Sequence, residues 1–129
     1  MDALKEQVGG NHYKKFPMQP IVFAEKIVLR PCVYSIFKYS QRYLDKNQTV
    51  RDLGKILHFI SLAEELNDCK IGSWFCEEDE FLFDLYLEAN KDFLNEYQVN
   101  MVNALRDYNI YGLIELTKKE LKKWQRNLF

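Results

Sequence analysis

The chain has 129 residues, 47% of them hydrophobic and 15% aromatic, and a net charge of −1. That is enough apolar material for one domain with one core, and five glycines and three prolines are too few for a turn-rich all-β design. The charges are segregated: residues 1–58 carry ten Lys/Arg against five Asp/Glu, residues 59–97 two against eleven, and residues 98–129 six against three. An acidic middle between basic ends suits intramolecular pairing or a local basic site, and argues against a general nucleic-acid binder, which would be basic overall.

Residues 1–19 read as irregular, with a Gly9-Gly10-Asn11 turn signal and Pro17. A first helix is predicted from Pro20 to Arg30, with Ile21, Phe23, Ala24, Ile27 and Val28 as its apolar face. A short strand within residues 16–24 is the alternative, because short apolar runs suit both states. Pro31 ends that helix and opens the next, over residues 31–45, with Val33, Ile36, Phe37, Ser40 and Leu44 on one face. After the polar link Asp45-Lys46-Asn47-Gln48, Thr49 and Asp52 form a capping box for a third helix reaching about Leu66. Leu53, Ile56, Leu57, Ile60 and Leu62 supply its apolar period, and Asn67 to Ser73 reads as a loop.

A long helical pattern follows, its start marked by Glu77, Glu78, Asp79 and Glu80, which suit a helix N-terminus. Phe81, Leu85, Ala89 and Phe93 recur every four residues, and Tyr97, Met101, Leu105 and Tyr108 continue the series. Tyr111-Gly112 is read as an interruption, and Thr117 with Glu120 as a capping box opening a basic last helix through Lys118, Lys119, Lys122, Lys123 and Arg126. Trp124, Leu116, Leu121 and Leu128 make that helix amphipathic, suited to docking on the acidic middle. The expectation is a single all-α domain over residues 1–129, with five or six helices and an irregular N-terminal segment.

Three cysteines, Cys32, Cys69 and Cys76, have no CxxC spacing, so neither a disulfide framework nor a zinc motif is expected. No export segment or membrane span is expected, which points to a reducing cytoplasm and to no membrane partner. No GxxxxGK[ST], GxSxG or HExxH signature is present. Glu77 to Glu80 do not all face one point on a helix, so a solvated first turn fits them better than a metal site.

Candidate binding residues concentrate in the N-terminal half. Lys38, Arg42 and Lys46 stand at i, i+4 and i+8, and Arg51 and Lys55 are four apart on the following helix. Two readings fit: solvated faces with Asp45 or Asp52 as ion-pair partners, or stripes that converge across an antiparallel pair to hold a phosphate. Tyr39 and Tyr43 flank the stripe, as core residues or as a surface on which a base stacks. His12 and Tyr13, in a glycine-rich segment, are either structural or part of the ligand site, and His58 reads as core-edge.

One resemblance sharpens these alternatives. Gly9-Gly10-Asn11-His12-Tyr13, then Gln19-Pro20-Ile21, then Ile36-Phe37-Lys38-Tyr39 with Arg42 and Lys46, then Asp52-Leu53 and Lys55, resemble a small phage and prophage domain family. The family pattern is GG-x-HY, QPI, IKY-xx-R-xxx-K and DL-x-K. The similarity covers residues 8–62. The family usually has Gly-Asn before IKY; here neither Cys32-Val33 nor Tyr34-Ser35 matches it, and Phe37 splits the Ile-Lys pair. The family is largely of unknown function, and one phage early member is described as a nucleoside monophosphate kinase.

The resemblance implies a protein of a bacterial host's cytoplasm that binds a nucleotide or other phosphorylated small molecule. Lys38, Tyr39, Arg42, Lys46, Arg51 and Lys55 would form the basic site, with His12 and Tyr13 closing over it. The resemblance implies a protein that modifies the nucleotide pool, whereas small size and the absence of catalytic signatures suit one that sequesters a defence signal; neither is expected to hold a resident cofactor. A kinase lacking a Walker loop is the enzymatic alternative, and Mg²⁺ is expected only in that case. A third reading is a protein that blocks a bacterial host factor through Trp74, Phe75 and the acidic stretch to Asp84. A small helical protein of this kind is expected to be a homo-oligomer.

Overall fold

The computed structural model describes residues 16–45, 47–66 and 75–126. Among them are six helices and no strand: α1 (Pro20–Ile27), α2 (Pro31–Arg42), α3 (Thr49–Glu65), α4 (Glu77–Asn90), α5 (Glu96–Arg106) and α6 (Ile110–Arg126). None is long and apolar enough to cross a membrane. The predicted loop Asn67–Ser73 lies outside the described residues apart from its link to Leu66.

Four helices form a closed ring of neighbours. α2 packs on α3 and α5, and α6 packs on the same two helices from the opposite side. Contacts fix the directions. Arg42 near the end of α2 meets Asp52 near the start of α3. Tyr43 just after α2 meets Asn95 just before α5, and Tyr97 near the start of α5 meets Thr117 in α6. Each adjacent pair is therefore antiparallel, an arrangement that short helix connections favour. α1 and α4 pack on each other and cover one end, α1 against α2 and α4 against α5. Phe23, Phe37, Phe83 and Tyr86 form a ring cluster there with centroids 4.9–5.2 Å apart. Such tilted and edge-on pairs add to the burial of the rings themselves.

A polar network ties the helices through this core. The Gln41 amide donates to the Gln98 carbonyl (3.4 Å), and the Gln98 amide donates to the Gln41 carbonyl (3.0 Å). Tyr86 donates to Gln41 Oε1 at 2.8 Å. Tyr43 donates to Glu120, Asn95 donates to the Tyr43 hydroxyl at 2.7 Å, and Trp124 donates to the same Glu120 oxygen at 3.1 Å. Burial, then the Glu120 hydrogen bond, push the Tyr43 phenol far above the ordinary tyrosine range. Asn90 exchanges two bonds with the backbone of Met18 (3.0 and 2.8 Å), which holds the segment before α1 against α4. That segment makes no strand; Pro20 opens the helix instead.

Several predicted details change. α1 stops at Ile27, because Arg30 must be extended before Pro31 and Val28 turns into the left-handed region (φ 56°) to reach it. α2 ends at Arg42; Tyr43 then turns fully inside, and Leu44 is left exposed rather than continuing the apolar face. Thr49 does not cap α3: the helix opens with the Asp52 amide donating to the Gln48 carbonyl, and the Asp52 carboxylate turns to Arg42. The face of α4 is also different. Phe81, Leu85 and Phe93 are exposed, while Phe83, Tyr86 and Asn90 are buried. α4 bears two apolar stripes, and the one with hydrogen-bonding groups for Gln41 and Met18 is the one that packs.

The predicted long helix breaks between Asn90 and Asn95. Asn95 caps α5 reciprocally with Gln98: Asn95 Oδ1 accepts from the Gln98 amide (2.9 Å), and Gln98 Oε1 from the Asn95 amide (2.8 Å). Tyr111-Gly112 does not interrupt α6. Asn109 Oδ1 accepts from the Gly112 amide at 2.9 Å, and a Cβ at Gly112 would come within 2.6 Å of the Asn109 amide nitrogen. Thr117 is mid-helix and fully buried, its hydroxyl 2.9 Å from the Tyr97 phenol, so it opens no helix.

Two outcomes follow for stability. Val28 is β-branched, left-handed and 75% exposed, so its side chain contributes strain and little packing. Val28→Gly is expected to raise unfolding free energy by about 1 kcal/mol in urea titration. Gln41→Leu removes the acceptor of the Tyr86 hydroxyl and the side-chain bond to the Gln98 carbonyl and is expected to cost about 2 kcal/mol. Tyr86→Phe should cost less in the Gln41→Leu background than alone, as a double-mutant cycle would measure.

Candidate functional site

α2 and α3 run antiparallel, so residues spaced four apart on each helix line up across the pair. Lys38 Nζ lies 4.8 Å from the centre of the Tyr39 ring, Arg42 Cζ 4.6 Å and Lys55 Nζ 4.9 Å. No two of these charges are then more than about 10 Å apart, roughly one Debye length in 0.1 M salt. All four side chains are half-buried. Phe59, one turn after Lys55, lies nearly parallel to Tyr39 with centroids 5.9 Å apart. Tyr34, one turn before Lys38, offers a second ring 5.6 Å from Lys38 Nζ. Burial raises the Tyr34 phenol above its ordinary value, against the opposing pull of Arg42 and with help from Glu25.

The carboxylate that reaches this group is Asp52, 2% exposed, with Oδ2 3.5 Å from Arg42 Nε. Among the described residues, Lys38 and Lys55 form no ion pair. Cation–π attraction offsets part of the repulsion between the three cations, which remain in excess over their counter-charge.

The structure thus brings together four of the residues singled out from the sequence: Lys38, Tyr39, Arg42 and Lys55. Arg51 is exposed and takes no part in the contacts around Tyr39. His12, Tyr13 and Lys46 lie outside the described residues. Tyr39 has three cations and Phe59 close to its ring, so it offers no open face for a base and instead organises the charges. Tyr43 is wholly buried in the core. His58 is exposed, tilted against Phe59 at 5.8 Å. Asp52 is the ion-pair partner that the sequence offered for the stripe; Tyr34 and Phe59 were not recognised as parts of this group, although Tyr34–Lys38 and Lys55–Phe59 each carry the same four-residue spacing.

The acidic stretch is partly committed within the fold. Arg106 of α5 pairs with Glu80 and Asp84 of α4, and its Nη2 also donates to the Glu80 carbonyl at 2.8 Å. Phe75 packs edge-on against Phe83, Trp74 lies outside the described residues, and Glu77 and Glu78 are exposed. Among the described residues no three His, Cys, Asp or Glu side chains gather as a metal site requires.

Two cavities lie away from the cluster, between α5 and α6, with volumes of about 800 and 550 Å³ and none of the predicted residues in their walls. Glu96, Asp107, Glu115 and Glu120 share those walls with the lysines. The α2–α3 cluster differs from them in gathering its three cations around one aromatic ring, with one buried carboxylate beside them. Compared with protein families, characterised proteins and solved structures, the chain matches none. The resemblance to the phage domain family rests on its motif residues.

The Arg42–Asp52 pair has a measurable signature. Asp52→Asn removes the one buried negative charge beside the cluster, and is expected to lower unfolding free energy by about 2 kcal/mol. The deficit should shrink as salt is added, since screening relieves the cations left behind. Urea titrations of both proteins at low and high ionic strength would measure it.

Proposed function

We propose that the chain binds a phosphorylated small molecule, a nucleotide in the first instance, on the face where Lys38, Arg42 and Lys55 meet around Tyr39. The observation that supports this is the charge excess: three cations from two helices within about 10 Å of each other, with one buried carboxylate between them. An ordinary solvated face interleaves acids and bases, and this one does not. A phosphate arriving here replaces mutual repulsion with attraction. Arg42 Nε faces Asp52 Oδ2 at 3.5 Å as an ion pair without a hydrogen bond, its guanidinium offers terminal donors to a phosphate, and the lysines act as point charges. Half-burial keeps the interaction from being fully screened.

The motif resemblance places Lys38, Arg42 and Lys55 within the family pattern and gives the reading its phage setting. In this reading Lys46 and Arg51 extend the positive field, and His12 and Tyr13 close over the ligand. The base then rests against the N-terminal segment rather than on the enclosed ring of Tyr39. A protein of this design holds its nucleotide, either to draw down a pool or to keep a signal from its receptor.

Thermal shift against nucleoside mono-, di- and triphosphates, cyclic nucleotides and inorganic phosphate tests the reading. A true ligand at a hundredfold its Kd is expected to add about 2.7 kcal/mol of stability. Lys38→Gln and Lys55→Gln should each weaken binding about tenfold, as loss of one charge-assisted contact predicts. If no member of the panel shifts the transition, the proposal fails. ATP consumption with a nucleoside monophosphate and Mg²⁺, lost in Arg42→Ala, would make the same face a phosphoryl-transfer site instead of a binding one.

A further inference from the structure

The grooves between α5 and α6 adjoin, with Asn100, Leu116, Lys119 and Lys122 in the walls of both. On α6 the wall is one helical face, running from Gly112 through Leu116, Lys119 and Lys122 to Arg126. Charge is graded along it. Asp107 and Glu115 stand at the end near the α5–α6 turn. Lys119, Lys122, Lys123 and Arg126 stand at the other, beside Glu96 and a Glu120 already engaged by Tyr43 and Trp124. Leu116 and Ala104 give the floor an apolar strip.

α4 presents a matching face to solvent. Phe81 is 64% and Leu85 44% exposed, although both sit within a folded helix. Glu77, Glu78 and Glu88 are exposed around them, and Lys91 follows at the C-terminal end. The fourteen residues of α4 span about 21 Å, and so does α6 from Gly112 to Arg126. Laid antiparallel to α6, α4 sets its acidic start, Glu77 and Glu78, against Lys119–Arg126, and brings the Glu88–Lys91 ion pair near Asp107 and Glu115. The helix dipoles are then opposed as well.

We propose that α4 of one copy seats in the α5–α6 groove of a second copy. Within one chain α4 packs on α1 and α5, so the face bearing Phe81 and Leu85 does not reach its own groove. Charge complementarity between the acidic start of α4 and the basic end of α6, with an apolar strip on each side, selects this occupant. A nucleic acid is disfavoured because Glu96, Asp107 and Glu115 line the groove and repel a phosphate backbone. The interface is separate from the α2–α3 anion site and does not depend on it.

Sedimentation equilibrium across a concentration series tests the proposal on the full chain. The wild type is expected to show a mass above that of one chain, rising with concentration. Glu77→Lys with Glu78→Lys, and separately Lys119→Glu with Lys122→Glu, should each raise the dissociation constant about tenfold or more. All four side chains are exposed, so circular dichroism should be unchanged. Combining the four reversals in one chain should restore association, which a folding defect would not do. Phe81→Ser should weaken it without touching charge. A wild type that stays monomeric, association that survives both reversals, or association lost on nuclease treatment would overturn the proposal.

Discussion

The reciprocal bonds between Gln41 and Gln98 decide which way α2 faces. Both residues are buried, each side-chain amide satisfies the other's backbone carbonyl, and Tyr86 completes Gln41. A buried carboxamide without partners is costly, so α2 cannot rotate without losing the whole set. Side chains advance 100° per residue on a helix. Pointing Gln41 at α5 and Phe37 at α1 and α4 therefore turns Lys38 and Arg42 away from them, toward the flank shared with α3. The candidate site is the outer consequence of an inner polar contact.

Charge segregation along the chain is resolved in two different ways. The excess acid of α4 is drawn partly onto Arg106, and Glu120 is consumed by Tyr43 and Trp124. In the N-terminal half, Asp52 answers Arg42 alone among the three cations around Tyr39. The basic face of α6 is likewise left outward, as are Glu77 and Glu78 of α4. A chain with near-zero net charge thus keeps two strongly polarised surfaces.

Helix existence was legible wherever punctuation and period agreed. Pro20 and Pro31 open α1 and α2 as expected, and Leu53, Ile56 and Ile60 face inward in α3. Misreadings arose where two signals competed. On α4 the four-residue series of Phe81 and Leu85 is the more regular stripe, yet the stripe with Tyr86 and Asn90 packs because only it satisfies buried polar partners. Thr117 with Glu120 has the spacing of a capping box, and Asn95 with Gln98 is one; spacing does not reveal which chain end needs a cap. The convergence of Lys38, Arg42 and Lys55 was readable as a conditional, true if the two helices pack antiparallel.

The amino-acid order alone determined an all-helical chain, the positions of its proline-marked starts, and two cationic stripes of fixed spacing, because these depend on local periodicity and backbone sterics. The tertiary structure alone decided which stripe of α4 enters the core, that Tyr43 turns inward while Tyr39 gathers cations, and that Asp52 pairs with Arg42 instead of capping its helix. Those outcomes depend on satisfying buried hydrogen bonds between residues as many as 77 positions apart, and no local window contains both partners.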